Sequence, residues 1–146
     1  MNEVKYEQDF YGWTQEQARL LRERRFAELD VANVVEEIES WGRGERRELV
    51  SHLRELLMHL LQWAYQPARR SRSWRLSIEA QRLQAREHLV ENPSLKPQLD
   101  DIMAHAYRLA LIEAERQTRL SRKTFPAMCP WSFNEAMSDD FWPGDP

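Results

Sequence analysis

The chain has 146 residues, with 21 Lys and Arg against 24 Asp and Glu, a formal net charge of −3, 42% hydrophobic residues and a single cysteine. That length suits one domain with a sizeable core, the lone Cys129 excludes an internal disulfide and a zinc-type cysteine pair, and the acidic balance gives no general reason to bind nucleic acid. No apolar run approaches the roughly 18 residues of a membrane span, and Met1 to Phe10 lacks the basic and apolar regions of a secretion signal, so a cytoplasmic protein without membrane association is expected.

Glycine is scarce, at Gly12, Gly42, Gly44 and Gly144 only, and no segment alternates apolar and polar residues as a half-buried strand does. The pattern predicts an all-α, single-domain bundle over 1–146 built on about four main helices. The first spans 14–26, capped by Thr14 with Gln17 three residues on, and its apolar positions are Ala18, Leu21 and Phe26. Asp30 caps the second, 30–65, whose stripe Val31, Val34, Val35, Ile38 and Trp41 gathers on one face. The charged run Gly42 to Glu48 interrupts that stripe before Leu49, Val50, Leu53, Leu56, Leu57, Leu60, Leu61 and Ala64 resume it. Val31 and Leu49 share a helical phase, about five turns apart, so one long helix kinked near 42–44 is expected.

Pro67 stops this helix, and Ser73 can cap the third, 74–91, which ends before Asn92-Pro93. Its apolar residues fall on two sides, Trp74, Ile78, Ala85 and Leu89 on one and Leu76, Ala80, Leu83 and Val90 on the other, as in a sandwiched helix. Arg75, Glu79, Arg82 and Arg86 form a polar edge between them. Ser94 caps the fourth, 95–120, with Pro97 in its first turn and Leu95, Leu99, Ile102, Met103, Ala106, Leu109 and Ala110 as its stripe. Glu113 shares the phase of that stripe and therefore calls for an arginine partner or a place beyond the core. Residues 121–146 are irregular and aromatic, with Phe125, Trp131, Phe133, Phe141 and Trp142 among prolines. Such a segment is expected to fold back over the bundle, with a short helix near 132–138 signalled by Ser132 and Glu135.

With these pieces in order, the chain resembles the bacterial "domain of unknown function 29" family. The matching words are Tyr6 to Trp13, Val35 to Glu39 with Gly42, Met58 to Trp63, Tyr65 to Pro67, Arg70 to Trp74 and Thr124 to Trp131, which together span nearly the whole chain. The resemblance implies an all-α fold and supplies no activity, cofactor or catalytic residue.

Charge is unevenly placed. Residues 66–86 hold Arg69, Arg70, Arg72, Arg75, Arg82 and Arg86 against Glu79 alone. Arg69, Arg70, Arg72 and Arg75 can hold phosphate or carboxylate bidentately while Trp63, Tyr65 and Trp74 offer stacking faces. Against this anion or partner site stands a structural corner, in which the tryptophans cover core ends and the arginines tie the acidic residues Glu36, Glu37 and Glu39 to the loop.

Two further arrangements bear on chemistry. Arg54-Glu-Leu-Leu-Met-His59 is similar to the arginine and histidine motif of the HEPN superfamily of small helical ribonucleases. That similarity implies phosphate binding by Arg54 and activation of a ribose hydroxyl by His59. Glu55 beside Arg54 departs from it, and Arg47 with His52 repeats the spacing. Glu48, His52, Glu55 and His59 share one helical face and are a candidate divalent metal site, which His105, Glu79 or Glu113 from another helix would have to complete. The alternative is a solvated flank of Glu and His pairs. Cys129 lacks the partners of a catalytic thiol, and no phosphate-cradling glycine loop or nucleophile elbow occurs.

Charge segregation without a catalytic set leads to the expectation of a cytoplasmic helical interaction module. It would use the arginine loop and acidic faces to bind a protein partner or a second copy, with nucleic acid a further possible ligand of 69–86 and no cofactor predicted beyond the candidate metal. The alternative is a small RNA-processing enzyme or toxin-type ribonuclease using Arg54 and His59, with or without metal.

Overall fold

A computed structural model describes residues 2–144, with side chains described from Lys5 onward. Met1, Asp145 and Pro146, which the expected domain and C-terminal wrap include, lie outside the described residues. The fold is all-α, as the sequence pattern predicts: the described residues form α1 (Asn2–Gln8), α2 (Phe10–Arg22), α3 (Val31–Tyr65), α4 (Arg72–Glu91), α5 (Leu99–Thr118) and α6 (Phe133–Met137), with short 3-10 turns and no strand between them. No described helix is long and apolar enough to cross a membrane. The chain divides into two compact units, residues 1–44 and 45–146.

In the first unit the helix expected over 14–26 starts and ends earlier. Asp9, not Thr14, caps α2, accepting from the Gly12 amide at 3.0 Å. The missing side chain at Gly12 leaves room for that cap, because a Cβ there would fall 2.3 Å from the Asp9 Oδ2. Thr14 instead donates back to the Tyr11 carbonyl. The helix stops at Arg22, and Arg24 takes a left-handed conformation (φ 60°) that turns the chain into the 3-10 segment Phe26–Glu28. Trp13, Gln17 and Leu20 are the buried residues of α2.

Polar contacts hold this unit. The Trp13 indole N–H donates to Asp30 Oδ2 at 3.0 Å, the Asp30 amide donates to Gln17 Oε1 at 2.9 Å, and the Tyr6 hydroxyl donates to Glu37. Burial works to raise the Asp30 carboxyl pKa, but hydrogen bonds from Asn33 and Trp13 outweigh it and hold the pKa below its ordinary value. The hydrogen bond to Glu37 keeps the Tyr6 proton in place and pushes its pKa up to about 12. Tyr6 and Trp13 also meet edge to face, with ring centroids 4.7 Å apart.

Helix α3 is continuous from Val31 to Tyr65, passing through Gly42 and Gly44, where a Cβ would meet no atom within 4 Å. Helical assignment is unbroken across the charged run expected to kink it.

The second unit carries the large core. Leu49, Leu53, Leu56, Leu57, Leu60 and Leu61 of α3 are fully buried against Ile78 and Ala85 of α4 and Ile102, Ala106 and Ala110 of α5. The N-cap of α4 is Ser71, which accepts from the Trp74 amide at 3.2 Å, rather than Ser73. Its second apolar side is not covered: Leu76 is 49%, Leu83 52% and Val90 76% exposed, so α4 is buried on one side and is not sandwiched. The helix expected over 95–120 begins at Leu99. Pro93 and Pro97 keep Pro93–Gln98 in a 3-10 turn, and neither Ser94 nor Gln98 supplies a side-chain cap. Glu113 finds its arginine, pairing with Arg116 at 2.8 Å.

The C-terminal segment folds over this core as expected. Ser132 and Glu135 form a complete capping box for α6, Phe125 is buried, and Trp131, Phe133, Phe141 and Trp142 pack against the core cluster.

Candidate functional site

Three places bring the chemistry-bearing residues together, each within one unit. The first is the arginine corner. Ser71 starts α4, and successive turns of that helix point Arg75, Arg82 and Arg86 toward the C-terminal segment. Arg82, which the periodicity placed on a polar edge, is 1% exposed. It donates to the carbonyls of Ala136 at 2.9 Å and Phe141 at 2.6 Å and lies 5.1 Å from the Trp142 ring centroid. Burial pushes its pKa down, and its Nη1 makes no hydrogen bond. Arg70 donates to the carbonyls of Trp63 and Pro143 and sits over the Trp63 ring, while Arg75 lies 4.8 Å from the Trp142 ring centroid. Arg86 reaches the Met137 carbonyl and Asp139.

The indole faces of Trp63 and Trp142, with centroids 4.8 Å apart, are thus occupied by the chain's own guanidinium groups. Gly144, at φ 83°, permits the close approach, since a Cβ there would lie 3.0 Å from Arg70 Nη2. Trp74 is partly buried against the core, and Tyr65 meets the Phe125 ring edge on. Of Arg69, Arg70, Arg72 and Arg75, Arg69 and Arg72 are exposed with no side-chain hydrogen bond, ion pair or ring contact among the described residues, and Arg75 has ring contacts alone. The corner therefore clamps main-chain carbonyls of 136–143 far more than carboxylates.

The second place lies between α3 and α4. Glu45, Glu48 and His52 recur at helical spacing on α3, and His88 of α4, 5% exposed, faces them. His88 Nε2 donates to the Glu45 main-chain carbonyl at 2.7 Å, which turns Nδ1 toward Glu48 Oε2, 3.6 Å away. His52 Nδ1 donates to Gln81 Oε1 at 3.0 Å, and its Nε2 lies 3.7 Å from Glu48 Oε1. Glu48 thus stands between two imidazoles that each turn one nitrogen toward it. One ligand atom each from Glu45, Glu48 and His88 lies within 4.8 Å of the others. Of the metal face read from sequence, Glu48 alone enters this group, with His52 Nε2 beside it at 3.7 Å, whereas Glu55 and His59 do not join any such group among the described residues.

His59 Nδ1 instead bonds the Glu55 main-chain carbonyl at 2.9 Å, and Arg54 pairs with Glu55 at 3.6 Å. Arg54 and His59 are therefore both engaged with one neighbour on their own helix. His105 and Glu79 are exposed, and Glu113 is held by Arg116, so the residue that meets the α3 face is His88. Periodicity carried one signal for it: His88 adjoins Leu89 in the phase of Ile78 and Ala85, an imidazole on the buried side of α4.

The third place is a groove in the first unit. Trp13, Ala18 and Leu21 of α2 and Val34, Ile38 and Trp41 of α3 line a cavity of about 230 Å³ whose walls are almost wholly apolar. Leu21 is 44%, Ile38 54% and Trp41 66% exposed, and Val31 and Val35 beside them are likewise exposed, so the stripe expected to be core is open. Glu36, Glu37 and Glu39 follow the same turns of α3.

A family model described as "Domain of unknown function DUF29" matches residues 5–142. No curated protein and no solved structure matches the chain.

Proposed function

We propose that this chain, which belongs to the family described as Domain of unknown function DUF29, is a helical interaction module that docks a basic, amphipathic helix of a protein partner in the groove of its first unit. The observation that carries the reading is the apolar stripe of α3 left uncovered, with Val31, Val35, Ile38 and Trp41 all about half exposed or more. Contiguous apolar surface with a polar rim is characteristic of docking faces, and a helix laid in a groove presents anchors at the spacing of successive turns. A volume of about 230 Å³ falls below the roughly 300–1,000 Å³ of small-molecule sites and suits two or three inserted side chains.

Charge selects the partner. Residues 1–44 carry six Lys and Arg against ten Asp and Glu, and Glu39 has no ion pair or hydrogen bond from its side chain among the described residues. Glu37 lines the groove and Glu39 lies on the same turns of α3, and this negative charge attracts a cationic helix and repels a second copy of itself. The exposed Arg69 and Arg72 of the second unit remain available for a separate polar contact.

The reading is tested by cross-linking from position 39 in cells, identification of the joined segment, and titration of that segment as a peptide against the purified chain. A basic amphipathic helix whose binding shifts tryptophan fluorescence and is abolished by Ile38→Asp and Trp41→Asp supports it. A dimer in solution that the same substitutions make monomeric would replace the partner by a second copy. Binding that survives both substitutions, or that Arg69→Glu with Arg72→Glu alone removes, overturns the groove as the docking face.

A further inference from the structure

The geometry points to a divalent transition-metal site between α3 and α4, with Glu45, Glu48 and His88 as the ligands already gathered and His52, beside Glu48, as the fourth. This site lies wholly within residues 45–146 and is independent of the docking groove.

Four features build it. The ligands come from two helices, which resolves the difficulty that a single helical face cannot surround an ion: α3 supplies Glu45, Glu48 and His52, and α4 supplies His88. Each imidazole has one nitrogen bound to a second partner, His88 Nε2 to the Glu45 carbonyl and His52 Nδ1 to Gln81 Oε1, and the other turned toward Glu48. This is the second-shell arrangement that orients metal-binding histidines and makes them better donors. Moreover, His88 is 5% exposed and is held with its Nδ1 3.6 Å from the Glu48 carboxylate. Finally, Glu48, Glu87 and Glu91 line the cleft, and neither they nor Glu45 are paired with a lysine or arginine among the described residues. A cation would supply the missing positive charge.

Distances favour a small, four-coordinate ion. Metal bonds of about 2.0–2.1 Å at tetrahedral angles put neighbouring ligand atoms about 3.4 Å apart. The contacts of His52 Nε2 and His88 Nδ1 to Glu48 are 3.7 and 3.6 Å, and Glu45 Oε2 lies on the Nε2 side of the His88 ring, within the 4.8 Å span of the group. The imidazole centroids are 6.2 Å apart, and His52 joins the other three residues when its side chain turns toward the ion. Two nitrogen donors with one or two carboxylates suit zinc and its neighbours in the first transition row and disfavour magnesium and calcium, which prefer all-oxygen shells. The cleft of about 220 Å³ over Glu48, His52, Gln84, Glu87, His88 and Glu91 leaves the ion open to solvent on one side, so a water or a ligand from solution can occupy a coordination position.

The experiment uses the full chain, stripped with chelator and titrated with zinc in competition with a chromophoric chelator, then with cobalt as a spectroscopic probe. The expected result is about one equivalent bound at micromolar or tighter affinity, with the intense visible absorption of four-coordinate cobalt. His52→Gln and Glu48→Gln lie at partly exposed positions and keep the far-UV circular dichroism of the parent, and each weakens zinc binding at least about tenfold. Gln81→Leu, which removes only the partner of His52 Nδ1, weakens it by about the same order, and His105→Gln on exposed α5 surface leaves it unchanged. Absence of stoichiometric zinc binding overturns the site, as does binding that His52→Gln and Glu48→Gln both leave intact, or a weak six-coordinate cobalt spectrum. Neither outcome bears on the groove, because no partner is present in the measurement.

Discussion

The first and second units use the same kind of amphipathic helix to opposite ends, and α3 belongs to both. Between Val31 and Trp41 its apolar residues are half exposed, while from Leu49 to Leu61 the same periodicity is buried completely. Beyond the boundary at residue 44, α4, α5 and the C-terminal aromatics close over the helix; before it, α2 covers only part of the stripe through Trp13, Gln17 and Leu20. The first unit compensates with directional contacts, above all Asp30 with Trp13, Asn33 and Gln17. An apolar stripe thus states that a helix has a face to cover, and says nothing about whether this chain or another supplies the cover.

That contrast can be broken at several points. The largest effect is expected from Leu57→Ala in the second unit, a loss of about 3 kcal/mol from a fully buried side chain, read by chemical denaturation. Arg82→Leu comes next, at about 2 kcal/mol, because it leaves the carbonyls of Ala136 and Phe141 without their donor. Its distinguishing sign is early proteolysis within 136–144 while the helical signal persists, and a variant that resists cleavage like the parent would show that the clamp does not hold the segment.

Asp30→Ala in the first unit should cost about 1 kcal/mol, the usual size of a lost cap, with hydrogen exchange accelerating in 10–40 first. Acid probes the same contacts. The Asp30 carboxyl has a folded pKa below its unfolded value, as do Glu16, Glu23 and Glu28, which Arg19 and Arg25 hold down by hydrogen bonds. Their stabilisation is therefore present above the unfolded carboxylate range of about pH 4 and is lost as pH falls through the lower folded values. Exchange protection in the first unit should fall in that window before protection in the second does; simultaneous loss would contradict the division of labour. The smallest effect is expected from Ile38→Ser, within about 0.5 kcal/mol, since Ile38 is 54% exposed. A large loss there would mean that the groove is core after all.

The comparison also explains where reading the sequence succeeded. Helix type, the length of α3, the stop at Glu91 and the Ser132 capping box follow from local spacing, and local spacing suffices for them. Cap choice was less legible: Asp9 and Ser71 won over Thr14 and Ser73 because each sits one to several residues upstream, where the chain first turns helical. For the candidate metal cluster, Glu48 and His52 were visible as a helical face, but His88 was not, since its partnership depends on how α4 lies against α3. Arg82 looked like a surface charge because its partners are backbone carbonyls 54 and 59 residues away, which no side-chain pattern encodes.

Sequence alone therefore determined that this protein is helical, where its long helices run, and which residues form apolar and charged faces, because these depend on neighbours a few positions apart. Tertiary structure decided which apolar face is core and which is open, that four arginines clamp the chain's own C-terminal segment, and that two histidines from different helices each turn a nitrogen toward one carboxylate. Those outcomes depend on what each face meets across the fold, and burial, hydrogen-bond partnership and ligand convergence are set only there.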